Sequence, residues 1–171
     1  MKKILAGVVL EFLFTVAHAQ QDWQRFVLDD RVSVLVPGIP EKVELEQVEM
    51  YNLTISDSTN YSTSIVDFND FGLDATMLQS MVATDEFEEQ FKTGFMMQME
   101  GSTLRSSTRG RFQNFTTYLF EIDFADKESG GESKLSSYSI FVGSKVYTLN
   151  YTAKVPRPED KEKFFSSLII L

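Results

Sequence analysis

Phe87, Phe91, Phe95 and Met99 recur every four residues, and Met77 and Met81 do the same upstream. Side chains four apart lie on one side of an α-helix, so this stripe predicts a helix from Asp74 to Met99 with one apolar face. Asp85, Glu86, Glu88 and Glu89 open its second half, where a helix dipole favours anions, and Gly101 follows as a stop. Such a stripe serves either as a core face packed on a sheet or as a groove for a partner peptide.

A period of two appears on either side of that segment. From Thr117 to Asp126 the chain alternates, with Tyr118, Phe120, Ile122 and Phe124 pointing one way and Thr117, Leu119, Glu121 and Asp123 the other. Before the helix, after an opening Trp23 to Phe26, the segments Arg31 to Val36, Val43 to Gln47, Met50 to Ser56 and Tyr61 to Asp67 have strand texture. Pro37, Gly38 and Pro40 stop the run Arg31 to Val36. After the loop Glu128 to Glu132, Leu135 to Val142 and Lys145 to Thr152 flank Gly143-Ser144, a two-residue hairpin signal. Pro158, Glu159 and Asp160 begin a last helix with Phe164, Phe165, Leu168 and Ile169 on its apolar face. Strands, a long helix, strands and a terminal helix make an α+β chain with a mostly antiparallel sheet flanked by helices.

The first nineteen residues have a pattern of their own. Lys2 and Lys3 precede the apolar run Ile4 to Ala17, and Ala17-His18-Ala19 is a small-x-small cleavage site. This predicts a signal peptide over 1–19 and one exported domain over 20–171, periplasmic or secreted. The apolar run is too short to span a bilayer, and Glu11 interrupts it. No membrane span is expected after cleavage. No cysteine follows the run, so no bacterial lipid anchor is expected either.

Composition narrows the chemistry. The sole histidine is His18, inside the leader, and the chain has no cysteine. Residues 20–171 therefore cannot build a serine–histidine triad, a cysteine nucleophile, a disulfide or a histidine-ligated zinc site. The formal net charge is −9, and loss of the leader makes it one unit more negative. An acidic surface repels phosphate backbones and anionic lipid, so nucleic acid is not an expected partner.

Several segments together resemble the PsbP/Mog1-like domain family. These are Trp23 to Phe26, the run Arg31 to Pro40 with its P-x-x-P turn, Phe91 to Phe95 before Gly101, the hairpin Val142 to Tyr147, and Phe164 to Leu168. The resemblance implies an α/β/α sandwich of PsbP/Mog1 type. Members include photosystem accessory subunits, a regulator of a small GTPase and many exported bacterial proteins. The group shares no catalytic motif to carry over, and the Ran-binding role of eukaryotic Mog1 does not apply to an exported chain.

Three clusters are candidates for chemistry. Asp67, Asn69, Asp70 and Asp74 offer oxygens that suit calcium, although their spacing is not that of an EF-hand; the same residues could simply cap the following helix. Arg105, Arg109 and Arg111 could bind an anion or pair with acidic neighbours. In an extended strand all three share one face, unless Gly110 introduces a bulge. Glu121 and Asp123 share a strand face and could form a hydrolase carboxylate pair, or lie in solvent. Tyr51, Tyr61, Tyr118 and Tyr138 could line a sugar site or fill a core. No catalytic residue and no cofactor is assigned. The leading expectation is a noncatalytic accessory or binding module with a protein partner in the cell envelope. A periplasmic protein binding a small ligand or calcium comes second, and a carboxylate-based hydrolase third.

Overall fold

The computed structural model describes residues 22–45, 48–55, 58–125 and 131–171. The leader and its cleavage site lie outside the described residues, as do the ends of several predicted strands and most of the loop from Glu128. The elements run β1 (Gln24–Val27), β2 (Val32–Val36), β3 (Glu41–Leu45), β4 (Val48–Thr54), β5 (Asn60–Asp67), α1 (Ala75–Met81), α2 (Asp85–Met97), β6 (Thr103–Phe112), β7 (Phe115–Ala125), β8 (Glu132–Val142), β9 (Lys145–Ala153), α3 (Pro158–Ser166) and β10 (Ile169–Ile170). A short 3-10 turn over Phe68–Phe71 links β5 to α1.

Seven strands form one antiparallel sheet in the order β3-β4-β5-β9-β8-β7-β6, and β1, β2 and β10 form a smaller second sheet. The strand period divides the large sheet into two faces. Tyr118, Phe120 and Ile122 of β7, with Phe141 and Val146, meet Leu78, Val82 and Phe87 of the α1–α2 segment. Tyr61, Tyr147, Leu149 and Tyr151 point the other way, against Val32, Val34 and Val36 of the small sheet and Phe164 of α3. The result is the expected α+β sandwich, with the small sheet sharing one outer layer with α3.

The predicted long helix is broken. α1 ends at Met81, and Thr84 caps a new helix by accepting from the Phe87 amide at 3.3 Å. Asp85, Glu86 and Glu88 then fill the first turn of α2. A break inside a helix frees carbonyls that burial would leave unpaired. Here the buried Tyr118 hydroxyl donates to the Val82 carbonyl at 2.6 Å. Burial, with the Glu88 charge, pushes that hydroxyl up to about 12, so it stays protonated and remains a donor.

The chain end also departs from expectation. Ile169 is not on a helix face but in β10, opposite Ser33 of β2. Ser167 marks the change of direction: its hydroxyl donates to the Phe164 carbonyl at 2.7 Å and accepts from the Leu35 amide at 2.8 Å. The N- and C-terminal parts of the described chain thus meet in one small sheet.

Candidate functional site

The oxygen-rich segment after β5 caps helices. Asp67 Oδ1 accepts from the Asn69 amide at 3.0 Å, and Asp74 Oδ1 accepts from the Met77 amide at 2.9 Å. Asn69 Nδ2 donates to the Ser144 hydroxyl at 2.8 Å, tying the 3-10 turn to the β8–β9 hairpin. Burial pushes the Asp67 carboxyl up, but the Asn69 amide, Ser144 and the Lys145 charge outweigh it and hold the group below the usual carboxylate range. Among the described residues, no three His, Cys, Asp or Glu side chains converge as metal ligands.

The three arginines separate. The ladder between β6 and β7 slips between Leu104 and Ser106, so the bulge falls at Arg105 and not at Gly110. Arg105 consequently reaches Asp123, with Nε donating to Oδ2 at 2.6 Å. Arg109 and Arg111 keep the parity of Tyr118, on the side of α2. Arg109 is held by Asp85 at 2.7 Å and Glu88 at 3.4 Å, while Arg111 is exposed with no ion-pair partner among the described residues. With Ala83 and Thr116 they line a cavity of about 340 Å3 beside the α1–α2 turn.

The carboxylates of β7 are neutralised and not bathed in solvent. Glu121 accepts from the Ser136 hydroxyl at 2.6 Å and from Lys161 Nζ at 3.0 Å. Asp123 is the Arg105 partner just described. Alternation alone placed them on a polar face; α3 packs over that face and brings Lys161 with it. The tyrosines are core or core-edge residues. Tyr61 and Tyr118 are fully buried, Tyr51 meets Phe26 edge-on, and Tyr138 stacks on Phe165.

A larger groove, of about 600 Å3, opens where the β3–β4 hairpin stands beside β5 and β9. Lys42, Glu44, Glu49, Asp67, Asp70 and Lys145 are the charged residues that line it. The neighbouring anchor escaped the sequence reading. Asp29 Oδ2 accepts from Lys145 Nζ at 3.0 Å and from the Tyr147 hydroxyl at 2.7 Å, while its Oδ1 accepts from the amides of Arg31 and Val32. The Asp29 hydrogen bond raises the Lys145 ammonium above its ordinary range. Lys145 therefore presents a fixed cation to the groove, not a free amine nucleophile. The one local signal for Asp29 was its place just before a strand, which suits an Asx turn; Tyr147, 118 positions away, was not visible locally.

Sheet order and the two unlike outer layers define an α+β sandwich, and the comparison with solved structures makes it PsbP-like. Among solved structures, the cyanobacterial PsbP of Synechocystis sp. PCC 6803 is similar with a TM-score of 0.51 and 15% identity, over 99% of this chain and 98% of that one. A protein from Bacteroides thetaiotaomicron VPI-5482 is similar with a TM-score of 0.52 and 11% identity. That match covers 82% of this chain and 45% of the other, so the present chain spans less than half the length of that protein. LpqN of Mycobacterium tuberculosis, involved in cell envelope biogenesis, has a TM-score of 0.42 at 12% identity, over 88% of this chain and 79% of that one. No family model and no curated protein matches the chain. At these identities the likeness establishes the fold alone. No helix among the described residues is long and apolar enough to cross a membrane.

Proposed function

We propose that the chain is a noncatalytic, exported accessory or binding module that works through protein–protein contacts in the cell envelope. One observation carries this reading: the carboxylates best placed for acid–base work are already committed. Glu121 and Asp123 are ion-paired, and Asp67 and Asp74 cap helices. A general acid or base must have an oxygen free to reach the proton it transfers, and these groups already accept from a guanidinium, an ammonium, a hydroxyl or backbone amides. The open groove beside the β3–β4 hairpin instead offers charges of both signs, with Lys145 held by Asp29, which suits recognition.

The test is a cross-linked pull-down with tagged full-length chain expressed in its own organism, with the recovered chain sequenced from its N-terminus. The expected result is a mature chain beginning at Gln20 and one reproducible envelope protein. A folded, exported bait that captures nothing overturns the reading in favour of a small ligand. For that second reading the specific support is Arg111, a guanidinium that lines a cavity and has no ion-pair partner among the described residues. Melting curves with phosphate, and with calcium against chelator, then decide, since a ligand raises the midpoint by mass action.

A further inference from the structure

We propose that β3 is the interface of a two-fold dimer. β3 of a second copy pairs with it antiparallel, centred on Val43, and joins the two seven-stranded sheets edge to edge. This dimer goes beyond the accessory-module reading and does not depend on an envelope partner. β3 is an end strand: among the described residues it pairs only with β4, in a continuous register from Glu41↔Asn52 to Leu45↔Val48. Its outer side therefore carries backbone N–H and C=O groups outside any ladder, the template for a further strand. The opposite end of the sheet is guarded. There β6 carries the Arg105 bulge, and Arg109 is bridged to Asp85 and Glu88 of α2. β3 has no register shift, and Glu41, Lys42, Glu44 and Leu45 are all exposed.

The charges of the strand select a second copy and its register. Lys42 and Glu44 share one face, with Val43 on the other. A two-fold axis at Val43 sets Lys42 of each copy directly opposite Glu44 of the other, so one contact is made twice. On the other face Val43 meets Val43, and Leu45, 52% exposed, meets the stem of Glu41. Moving the axis to residue 42 sets Lys42 against Lys42, and moving it to residue 44 sets Glu44 against Glu44. Like charges directly opposite repel, so the Val43 register wins. In that register like charges meet only across the diagonal, at about 7–8 Å in place of about 5 Å. Neither Lys42 nor Glu44 has an ion-pair partner among the described residues, and Lys42 lies over the Tyr51 ring at 6.0 Å from its centre. Glu44 also faces Glu49 across the β3–β4 ladder. Lys42 of the second copy relieves that repulsion from the open side. Pro40, which has no N–H, ends the pairing at Glu41. Short strands and the negative charge of each chain make this a weak, concentration-dependent dimer. Because Lys42 and Glu44 line the groove, each copy supplies charges to the margin of the other's groove.

Sedimentation velocity of the purified protein, from about 1 μM to about 1 mM, should show a reversible monomer–dimer equilibrium. K42E and E44K, each with its melting midpoint checked, should weaken dimerisation about tenfold, because each turns two attractive pairs into two repulsive ones. An equimolar mixture of the two variants should recover dimerisation to the wild-type level, since opposite charges then face each other in both contacts. The double variant K42E/E44K should recover it as well, with both pairs reversed. Hydrogen exchange of the wild type should slow at β3 amides, and not at β6 amides, as concentration rises. A wild type that stays monomeric throughout overturns the proposal. So do single variants that dimerise as the wild type does, or a mixture that stays monomeric. Exchange at β3 that ignores concentration while dimers form puts the interface elsewhere and overturns it too.

Discussion

On the helix side of the large sheet, Phe87, Phe91 and Phe95 cover Tyr118, Phe120 and Phe141 ring against ring. On the opposite side, Tyr61, Tyr151 and Phe164 also meet edge-on, but there a carboxylate is added, with Asp29 holding Lys145 and Tyr147. The difference follows from how each layer is assembled. α1 and α2 run directly from β5 and into β6, so short connections bring them onto the sheet. The other layer joins β1 and β2 from the start of the described chain with α3 and β10 from its end. Apolar contact is non-directional. A layer recruited from both ends gains a defined position from directional bonds, and Asp29 supplies four of them.

The largest effects should come from removing one ring from each face. Phe87→Ala and Phe164→Ala should each cost about 3–5 kcal/mol in urea unfolding at neutral pH. A loss well under that for Phe87→Ala alone would mean that the helical layer is not part of the cooperative core. Asp29→Ala should cost about 1–3 kcal/mol, because it strands the buried Tyr147 hydroxyl and two backbone amides. Its pH dependence sharpens the contrast between faces. Burial pushes the Asp29 carboxyl up, but bonds from Tyr147, the Arg31 amide, Lys145 and the Val32 amide outweigh it, and the group is lowered from 3.8. A lowered carboxyl stabilises the fold fully above its unfolded value and loses that contribution as pH falls through the folded one. The gap between wild type and Asp29→Ala should therefore be widest well above pH 3.8 and close on acidification, whereas the gap for Phe87→Ala should not track this titration.

Gly143 comes next. Its φ is +64°, and an added Cβ would lie 2.7 Å from the Arg31 guanidinium. Gly143→Ala should cost roughly 1–2 kcal/mol in the same unfolding assay. The smallest effect should be that of Thr84→Ala, about 1 kcal/mol, from loss of the cap that starts α2. Thermal melts should show it as a small downward shift of one cooperative transition; a second, separate transition would mean that α2 unfolds independently of the sheet.

Legibility tracked distance along the chain. The Phe87–Phe91–Phe95 stripe and the β7 alternation were readable because a period of four or two is imposed by neighbouring residues alone. The Gly143-Ser144 hairpin was readable for the same reason, since a two-residue turn demands a particular backbone at its first position. The break before α2 left a local trace in the acids after Thr84, but the Tyr118 hydroxyl that makes it tolerable comes from another strand. Parity put the three arginines on one face, and a single extra residue at Arg105 undid that. Of the candidate ligands, Asp67 and Asp74 took the capping role that their position before helical turns already offered.

By itself the sequence determined the types of most elements, the β8–β9 turn, the α+β class and the absence of thiol and imidazole chemistry from residues 20–171. Each of these depends on residue identity and on spacings of a few positions. Tertiary structure alone decided that Glu121 would meet Lys161, that Ile169 would join β2, that Asp29 would anchor Tyr147, and that Glu44 of β3 and Glu49 of β4 would line a groove at the end of the sheet. Each of those couples residues far apart in sequence, or depends on which layer covers which face. Such pairings must overcome the entropy of closing long loops, and it is the packing of the whole core that compensates for it.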